Sequence, residues 1–261
     1  AGGEINCLDP GGFGAVTINK SLVIDCHYTE GGALAGGNGI TVNAASTDVI
    51  TIRGLDIFGV NPPSNGVRII AAGAVHIEDC VIRRFNAVNS LGVSFAPTTA
   101  NTKLYISNTT ITENGNGFTG GGIEINPGVG GSGKVVVRNS RIQNNGSDGI
   151  RMNSANGVIN LVVEDTDISG NAQGVAVLGS ANATLTMITN SVIANNSVIG
   201  IVTTSNAITR IDNTTITGNT QGVSAQTGSQ ILSYGGNHLD GNPTSGAAND
   251  GAFTGGVIPR K

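Results

Sequence analysis

The chain has 261 residues and a formal net charge of −4, with 11% charged residues, 41 glycines and 30 asparagines. A chain poor in helix-favouring charged residues and rich in Gly, Asn, Thr, Val and Ile favours strands joined by tight turns, which excludes a mainly helical fold. The basic run at Arg83 and Arg84 is too short for a nucleic-acid binder, and the apolar run at 69–77 is too short for a membrane span.

The first predicted strand lies in residues 1–6, and no helix precedes it to cover the first coil. The stretches "EINC" and "VIDC", which end at Cys7 and Cys26, occupy the same position of two successive strands. Adjacent strands hold such sulfurs at a separation that a disulfide can span, so a bridge is expected in an oxidising compartment, with two free thiols as the alternative. Cys80 is expected to be a small buried residue.

An aliphatic anchor recurs through the rest of the chain at intervals of 23 to 31 residues: Ile57, Ile82, Ile111, Ile142, Ile168, Ile193, Ile216 and Leu239. Asn or Asp stands three residues before the anchor in most coils, and Asn stands three residues after it from Asn114 to Asn242. Further on comes Gly followed by Val or Ile, as at Gly149-Ile150. Alternation of period two precedes the anchor, so the repeat predicts a solenoid with about three short strands per coil.

Stacking of equivalent strands would place identical side chains in columns along the axis. Inward Ile and Val then form the core. Asn tolerates a left-handed backbone at turns, and stacked amides can hydrogen-bond from one coil to the next. We therefore predict an internal Asn ladder.

The columns Asn-x-x-Ile-x-x-Asn, followed by Gly-Ile or Gly-Val, resemble the repeats of the right-handed parallel β-helix superfamily that includes pectate lyases and polygalacturonases. The resemblance covers residues 49–242 well and 1–48 loosely. It implies an all-β, single-stranded right-handed parallel β-helix over residues 1–242, followed by a tail at 243–261, in an extracellular or periplasmic bacterial protein. The superfamily contains lyases, hydrolases, epimerases and tailspikes, so the resemblance specifies no activity.

The enlarged turns flank the strand that begins with Gly and an aliphatic residue. They lie at 61–65, 86–91 and 115–121 before this strand and at 96–103 and 126–134 after it. Insertions in a solenoid gather on its binding face. The outward residues of this strand column are Arg68, Ser94, Glu124 and Arg151, followed by Ala176, Val202 and Ser224.

These residues predict a groove for an acidic or neutral polysaccharide or oligosaccharide. Arg68 and Arg151 would pair with carboxylates, Glu124 would transfer a proton with Asp148 as its partner carboxyl, and Ser94 and Phe118 would line the groove. Glu124, Arg151, Arg68 and Asp148 are thus the catalytic candidates. The alternative is a structural salt bridge between Glu124 and Arg151 of neighbouring coils.

Other charged clusters favour structural roles. The pairs Arg138 with Glu164, Arg141 with Asp167 and Arg53 with Glu78 occupy equivalent positions on neighbouring coils, and such exposed pairs contribute little stability. The stretch "IDCHYTE", at residues 24–30, offers metal-binding and proton-transfer groups but lies near the open end, and we predict no metal site.

No cofactor is predicted, because "GNGFTG" and "GVGGSG" match G-x-G-x-x-G without opening a helix after a strand. The catalytic sets of polygalacturonases and of calcium-dependent lyases are missing, so the sequence favours a surface or scaffold protein, with glycan binding as one of its roles. The alternative is a polysaccharide lyase or glycoside hydrolase.

The ends and one face predict contacts with other segments or subunits. Val136, Val162, Met187, Leu185 and Ile208 form an apolar strip on an outward face. We expect the tail, through Phe253, Val257 and Ile258, or a second subunit to cover this strip. For the uncapped N-terminal end we expect either that a cap was trimmed or that another chain covers it, which would make it a second surface for homo-oligomer formation.

Overall fold

The structure of the chain, a computed structural model, describes residues 2–60, 62–117, 120–179, 184–244 and 247–259. Three long sheets contain almost all of the strands. Sheet A comprises β1 (Gly3–Asn6), β4 (Leu22–Asp25), β7 (Val49–Arg53), β10 (Ala74–Glu78), β13 (Thr102–Ser107), β16 (Gly133–Arg138), β19 (Ile159–Glu164), β22 (Leu185–Thr189), β25 (Ile208–Asp212) and β28 (Gln230–Ser233). Sheet B comprises β2 (Gly11–Phe13), β5 (Gly31–Ala35), β8 (Leu55–Gly59), β11 (Val81–Arg83), β14 (Thr110–Thr112), β17 (Arg141–Gln143), β20 (Asp167–Ser169), β23 (Val192–Ala194), β26 (Thr215–Thr217) and β29 (His238–Leu239).

Sheet C is the third wall of the solenoid and encloses the core together with sheets A and B. It comprises β3 (Val16–Ile18), β6 (Ile40–Asn43), β9 (Asn65–Ala71), β12 (Leu91–Phe95), β15 (Gly121–Ile125), β18 (Asp148–Asn153), β21 (Gln173–Leu178), β24 (Ile199–Thr204) and β27 (Gln221–Ala225). Strands β30 (Pro243–Thr244) and β31 (Ala247–Ala248) form a short hairpin near the C-terminus. Each of the first nine coils gives one strand to each long sheet, and neighbouring coils pair in parallel, so the predicted all-β parallel β-helix is confirmed. Across the described ranges, we find no helix of the length and apolarity that a membrane crossing requires.

The predicted Ile anchors form a continuous column inside the solenoid. Ile82 pairs with Ile57 on one side and with Ile111 on the other, and the same register continues to Ile216. All seven Ile anchors are fully buried. Because burying one such side chain stabilises a fold by about 1.5–3 kcal/mol, this column is a main source of stability.

Six buried asparagines lie three residues after the anchors and bond to one another along the axis: Asn114, Asn145, Asn171, Asn196, Asn219 and Asn242. The side-chain amides of the first five donate to the Oδ1 atom of the next asparagine, over 2.8 to 3.2 Å, and that of Asn242 donates to Oδ1 of Asp250. Each also donates to the carbonyl of an anchor Ile in the preceding coil. The column therefore satisfies backbone groups that the turn would otherwise leave buried without partners.

The asparagines and aspartates three residues before the anchor serve a different purpose. Asp79, Asn108, Asn139, Asp165, Asn190 and Asn213 have φ between 44° and 54°. Apart from the half-buried Asp79 they are exposed, and all six form the corner between sheets A and B. Asn and Asp adopt this left-handed backbone more readily than other residues with a side chain. They therefore recur at this position because the turn requires a positive φ.

A column of hydroxyl groups follows directly after this corner. The hydroxyls of Thr109, Ser140, Thr166 and Ser191 each donate to the carbonyl two residues earlier. The backbone N–H of Thr109 donates to the hydroxyl of Ser140 in the next coil, and that of Thr166 donates to the hydroxyl of Ser191. Cys80 takes the same place with a thiol that donates to the carbonyl of Glu78, which explains why it is buried.

The repeated glycine before the aliphatic residue is required by close packing. A Cβ atom on Gly149 would lie 2.7 Å from Cγ2 of Ile168 and 2.9 Å from Nδ2 of Asn171. The equivalent glycines, such as Gly122 and Gly174, have the same two kinds of neighbour. The column must therefore be glycine so that sheet C can approach the Ile anchors and the buried amides.

The N-terminal end is open and apolar. Cys7 and Cys26 form a disulfide with their Cα atoms 4.8 Å apart. Beside the disulfide lies a cavity of about 470 Å³, lined by Ile5, Leu8, Phe13 and other residues of the first coils. The free edges of β1, β2 and β3 surround it.

The tail closes the other end of the solenoid and leaves the apolar strip uncovered. The backbone N–H groups of Thr254 and Ile258 donate to carbonyls of Ile231 and Ser233 in β28, and Phe253 packs against the core. Val257 is 68% exposed, and Leu185 of the strip is 50% exposed. The expectation that the tail covers the strip is therefore wrong: within the described residues, its hydrogen bonds extend the last edges of sheets A and C.

Candidate functional site

The residues predicted to form a groove lie side by side on the outer face of sheet C. Arg68 of β9 pairs in register with Ser94 of β12, which pairs with Glu124 of β15, which pairs with Arg151 of β18. Because neighbouring strands lie about 4.8 Å apart, the four side chains form one row along the axis. The next coil continues this row with Ala176, which is buried with Val202 and Ile199 in a small apolar cluster.

Arg151 is paired with Asp148, and this corrects the alternative of a salt bridge with Glu124. One terminal nitrogen of the Arg151 guanidinium lies 3.2 Å from Oδ2 of Asp148, on the same strand. In the part of the chain that the structure describes, neither Glu124 nor Arg68 has an ion pair or a side-chain hydrogen bond. The row therefore presents one cation and one carboxylate without partners, two coils apart.

Asp148 is a buried carboxyl group with an altered pKa. Only 3% of the residue is exposed. Burial raises the pKa of Asp148 to about 6, against the opposing effect of Arg151, and the nearby negative charge of Glu124 adds to the increase. A carboxyl group that titrates near neutral pH beside a second carboxyl group can exchange protons with a ligand or with water.

The local backbone explains why Asp148 and Arg151 meet. In a regular strand, residues three apart point to opposite faces. At the start of β18, however, the Cβ direction of Gly149 points at the core and Ile150 is fully buried, so two successive positions face inward. This irregularity brings Asp148 and Arg151 to the same outer face.

Two asparagines extend the row sideways and were missed in the sequence. Asn126 follows the buried Ile125, and Asn153 follows the buried Met152. Both are half-buried, and strand alternation directs them to the outer face beside Glu124 and Arg151. The period-two alternation that identified Arg151 as an outward residue also predicts that Asn126 and Asn153 point outward. Phe118, the predicted wall residue, lies outside the described residues.

Charged clusters elsewhere are largely satisfied by internal partners. Arg53 bonds to both Asp25 and Glu78, at 2.9 and 2.8 Å. The backbone N–H of His27 and the guanidinium of Arg53 lower the pKa of Asp25. Among the residues that the structure describes, no group of three His, Cys, Asp or Glu side chains is arranged to hold a metal ion.

Two further predicted pairs differ in their geometry. Arg138 and Glu164 are 3.9 Å apart, which makes a weak exposed contact. Asp167 accepts a hydrogen bond from the side chain of Gln143, at 2.9 Å, where Arg141 was expected to be its partner. These contacts involve only residues of sheets A and B, so the row on sheet C is the candidate site.

Comparison with known proteins agrees with this fold. A family model described as "Right handed beta helix region" matches residues 11–195 and 128–255. The crystal structure of pectate lyase Pel9A is similar, with a TM-score of 0.67 and 15% sequence identity, over 98% of this chain and 80% of that one. None of the curated proteins compared with the chain matches it.

Proposed function

The chain belongs to the right handed beta helix family, and we propose that it binds an oligosaccharide along the outer face of sheet C. The observation that carries this proposal is the in-register row of Arg68, Ser94, Glu124 and Arg151. A row parallel to the axis suits a linear polymer, because successive sugar units can meet successive coils. The half-buried Asn126 and Asn153 add amide groups that suit sugar hydroxyls.

The ligand that fits best is an acidic oligosaccharide. The guanidinium of Arg68 has no partner among the described residues, and guanidinium groups bind carboxylates through two parallel hydrogen bonds. The pectate lyase with the same fold acts on an acidic polysaccharide, as its name states, which makes oligogalacturonate the first ligand to test. The Cys7–Cys26 disulfide supports an extracellular or periplasmic location, where such polymers occur.

Binding can be tested by calorimetry with oligogalacturonates and with neutral oligosaccharides of equal length. Arg68→Ala should weaken binding of the acidic ligand about tenfold or more, because a charge-assisted hydrogen bond contributes about 1.5–3 kcal/mol. Arg138→Ala is the matched control, since it removes an exposed arginine from sheet A. Equal affinities for the two variants would refute the proposed surface.

A second candidate function is cleavage of the bound polysaccharide, with Glu124 and Asp148 as proton-transfer groups. The observation that favours it is the raised pKa of the buried Asp148 beside the exposed part of Glu124. Acid and base roles are commonly set by environments that move the pKa values of two carboxyl groups apart.

Cleavage can be detected as new reducing ends or unsaturated products after incubation with a panel of polysaccharides. Glu124→Gln should abolish turnover and keep binding, and Glu164→Gln on sheet A is the matched control. Binding by the unaltered chain without any product would leave the protein as a binding scaffold.

A further inference from the structure

Two carboxylates lie beside a single guanidinium at the end of the row. Asp148 is paired with Arg151 at 3.2 Å, three residues along the same strand. Glu124 occupies the adjacent position on β15, in register with Arg151. Arg151 therefore has an internal partner on its own strand and a second acidic neighbour on the preceding coil.

The two members of the ion pair differ in their freedom to move. Asp148 is enclosed, with 3% of its surface exposed. Its neighbour on β15 is Gly121, whose φ is 143° and where an added Cβ would collide with the backbone of Asp148. The side chain of Arg151 is 36% exposed, so it can leave the pair and turn towards solvent while Asp148 stays in place.

We propose that Asp148 is a positioning residue for Arg151: as a carboxylate it holds the guanidinium against strand β18, and as a neutral acid it releases it to bind a carboxylate of the ligand. The chemical class of the ligand, an acidic oligosaccharide, rests on the proposed function. The coupling between Asp148 and Arg151 rests on their geometry alone.

The charged groups that face Asp148 determine the pH at which the change occurs. Arg151 faces it from its own strand and Glu124 from β15, whereas the neighbouring residues of β21, Gln173 and Ala176, are uncharged. Burial raises the pKa of Asp148 to about 6. Uronic acid carboxylates remain ionised at pH 5, because ordinary carboxyl groups titrate near pH ~3.5–4.3. Affinity for the acidic ligand should therefore rise as the pH falls from 7.5 to 5.

The first experiment follows the Arg151 side chain without any ligand. The Nε–H resonance of Arg151, assigned with an Arg151→Lys variant, is recorded by NMR from pH 4.5 to 8 in the unaltered chain and in Asp148→Asn. We expect a shift with a midpoint near the titration of Asp148 in the unaltered chain and no such shift in Asp148→Asn. A resonance that does not change in the unaltered chain overturns the proposal, even where the variant does not fold.

The second experiment measures the affinity for oligogalacturonate at pH 5 and at pH 7.5. The unaltered chain should bind about tenfold more tightly at pH 5, the typical effect of freeing one charge-assisted hydrogen bond, and Asp148→Asn should bind equally at both pH values. Asp165→Asn, an exposed corner residue, is the matched control and should behave like the unaltered chain.

The two experiments separate the two proposals. An Arg151 resonance that titrates, without binding at either pH, supports the role of Asp148 and refutes the acidic ligand. Binding that is equal at both pH values in the unaltered chain supports the ligand and overturns the role of Asp148.

Discussion

Replacing Asn171 by leucine tests how much the buried amide column contributes to stability. Asn171 lies in the middle of the column and is 2% exposed. Its Oδ1 atom accepts hydrogen bonds from both the backbone and the side chain of Asn145, each at 3.0 Å. Its Nδ2 atom donates to the carbonyl of Ile142 at 3.1 Å and to Oδ1 of Asn196 at 3.2 Å. Leucine has a similar branched shape and can make none of these bonds.

The cost follows from counting the groups that lose partners. The backbone N–H of Asn145 loses its acceptor, and the carbonyl of Ile142 loses a donor. The amide of Asn145 keeps a bond to Ile111, and Oδ1 of Asn196 keeps the backbone N–H of residue 171. Each buried group without a partner costs about 1–3 kcal/mol, so with some gain from the apolar side chain we expect a loss of about 2–4 kcal/mol.

Urea unfolding of the whole chain and hydrogen exchange of the Asn145 amide would measure this loss. Asn160→Leu is the control, because it makes the same chemical change on the outer face of sheet A and should change stability by less than about 0.5 kcal/mol. If Asn171→Leu were as stable as Asn160→Leu, the buried amides would contribute no more than solvated turn residues.

Three other changes test separate parts of the structure. Cys80→Ser should unfold within about 1 kcal/mol of the unaltered chain, whereas Cys80→Val should lose about 1–3 kcal/mol in urea because the bond to Glu78 disappears. Gly149→Ala should cost about 1–3 kcal/mol, since the new methyl group meets Ile168 at 2.7 Å, while Gly12→Ala, with its nearest neighbour at 3.5 Å, should cost much less. Because the pKa of Asp148 is raised from 3.8 to about 6, the folded chain binds the proton more tightly than the unfolded chain, and its free energy of unfolding should fall as the pH rises between these values. Asp148→Asn should remove this fall and be more stable than the unaltered chain at pH 7.5 by about 2–3 kcal/mol. If the difference in stability between the two chains did not change with pH, the raised pKa of Asp148 would be contradicted.

The repeat made the solenoid predictable, because the same core position recurs in the sequence of every coil and each recurrence supports the assignment. The Ile anchors and the glycine column could be read directly as inward positions. The two polar columns differ in composition, because Asn or Asp stands before the anchor whereas only Asn stands after it from Asn114 to Asn242. The backbone shows the physical difference: Asn108 has a φ of 49° at an exposed corner, and Asn114 has a buried amide.

The sequence predicted the row of the candidate site but not the pairing of Asp148 with Arg151, because that pairing depends on a local irregularity of the backbone. Alternation from the Gly-aliphatic pair correctly placed Glu124 and Arg151 in one row. The same rule gives no reason for Asp148 and Arg151 to meet, since residues three apart in a strand face opposite sides. The bend at Gly149 breaks the rule, and a backbone irregularity of this kind depends on packing against Ile168 in the next coil.

Asp148 differs in charge from the residues at the same position of the neighbouring coils. Its equivalents in neighbouring coils are Gly121 and Gln173, which carry no charge. Among the described residues, Asp148 is the only ionisable acid or base that is buried, apart from the Cys80 thiol. Burial of a carboxylate opposes folding at neutral pH, and the fold itself does not require it, because the other coils do without it. The proposed binding of an acidic ligand at this coil would account for that cost, which falls in the last coil of the row of charged residues on sheet C.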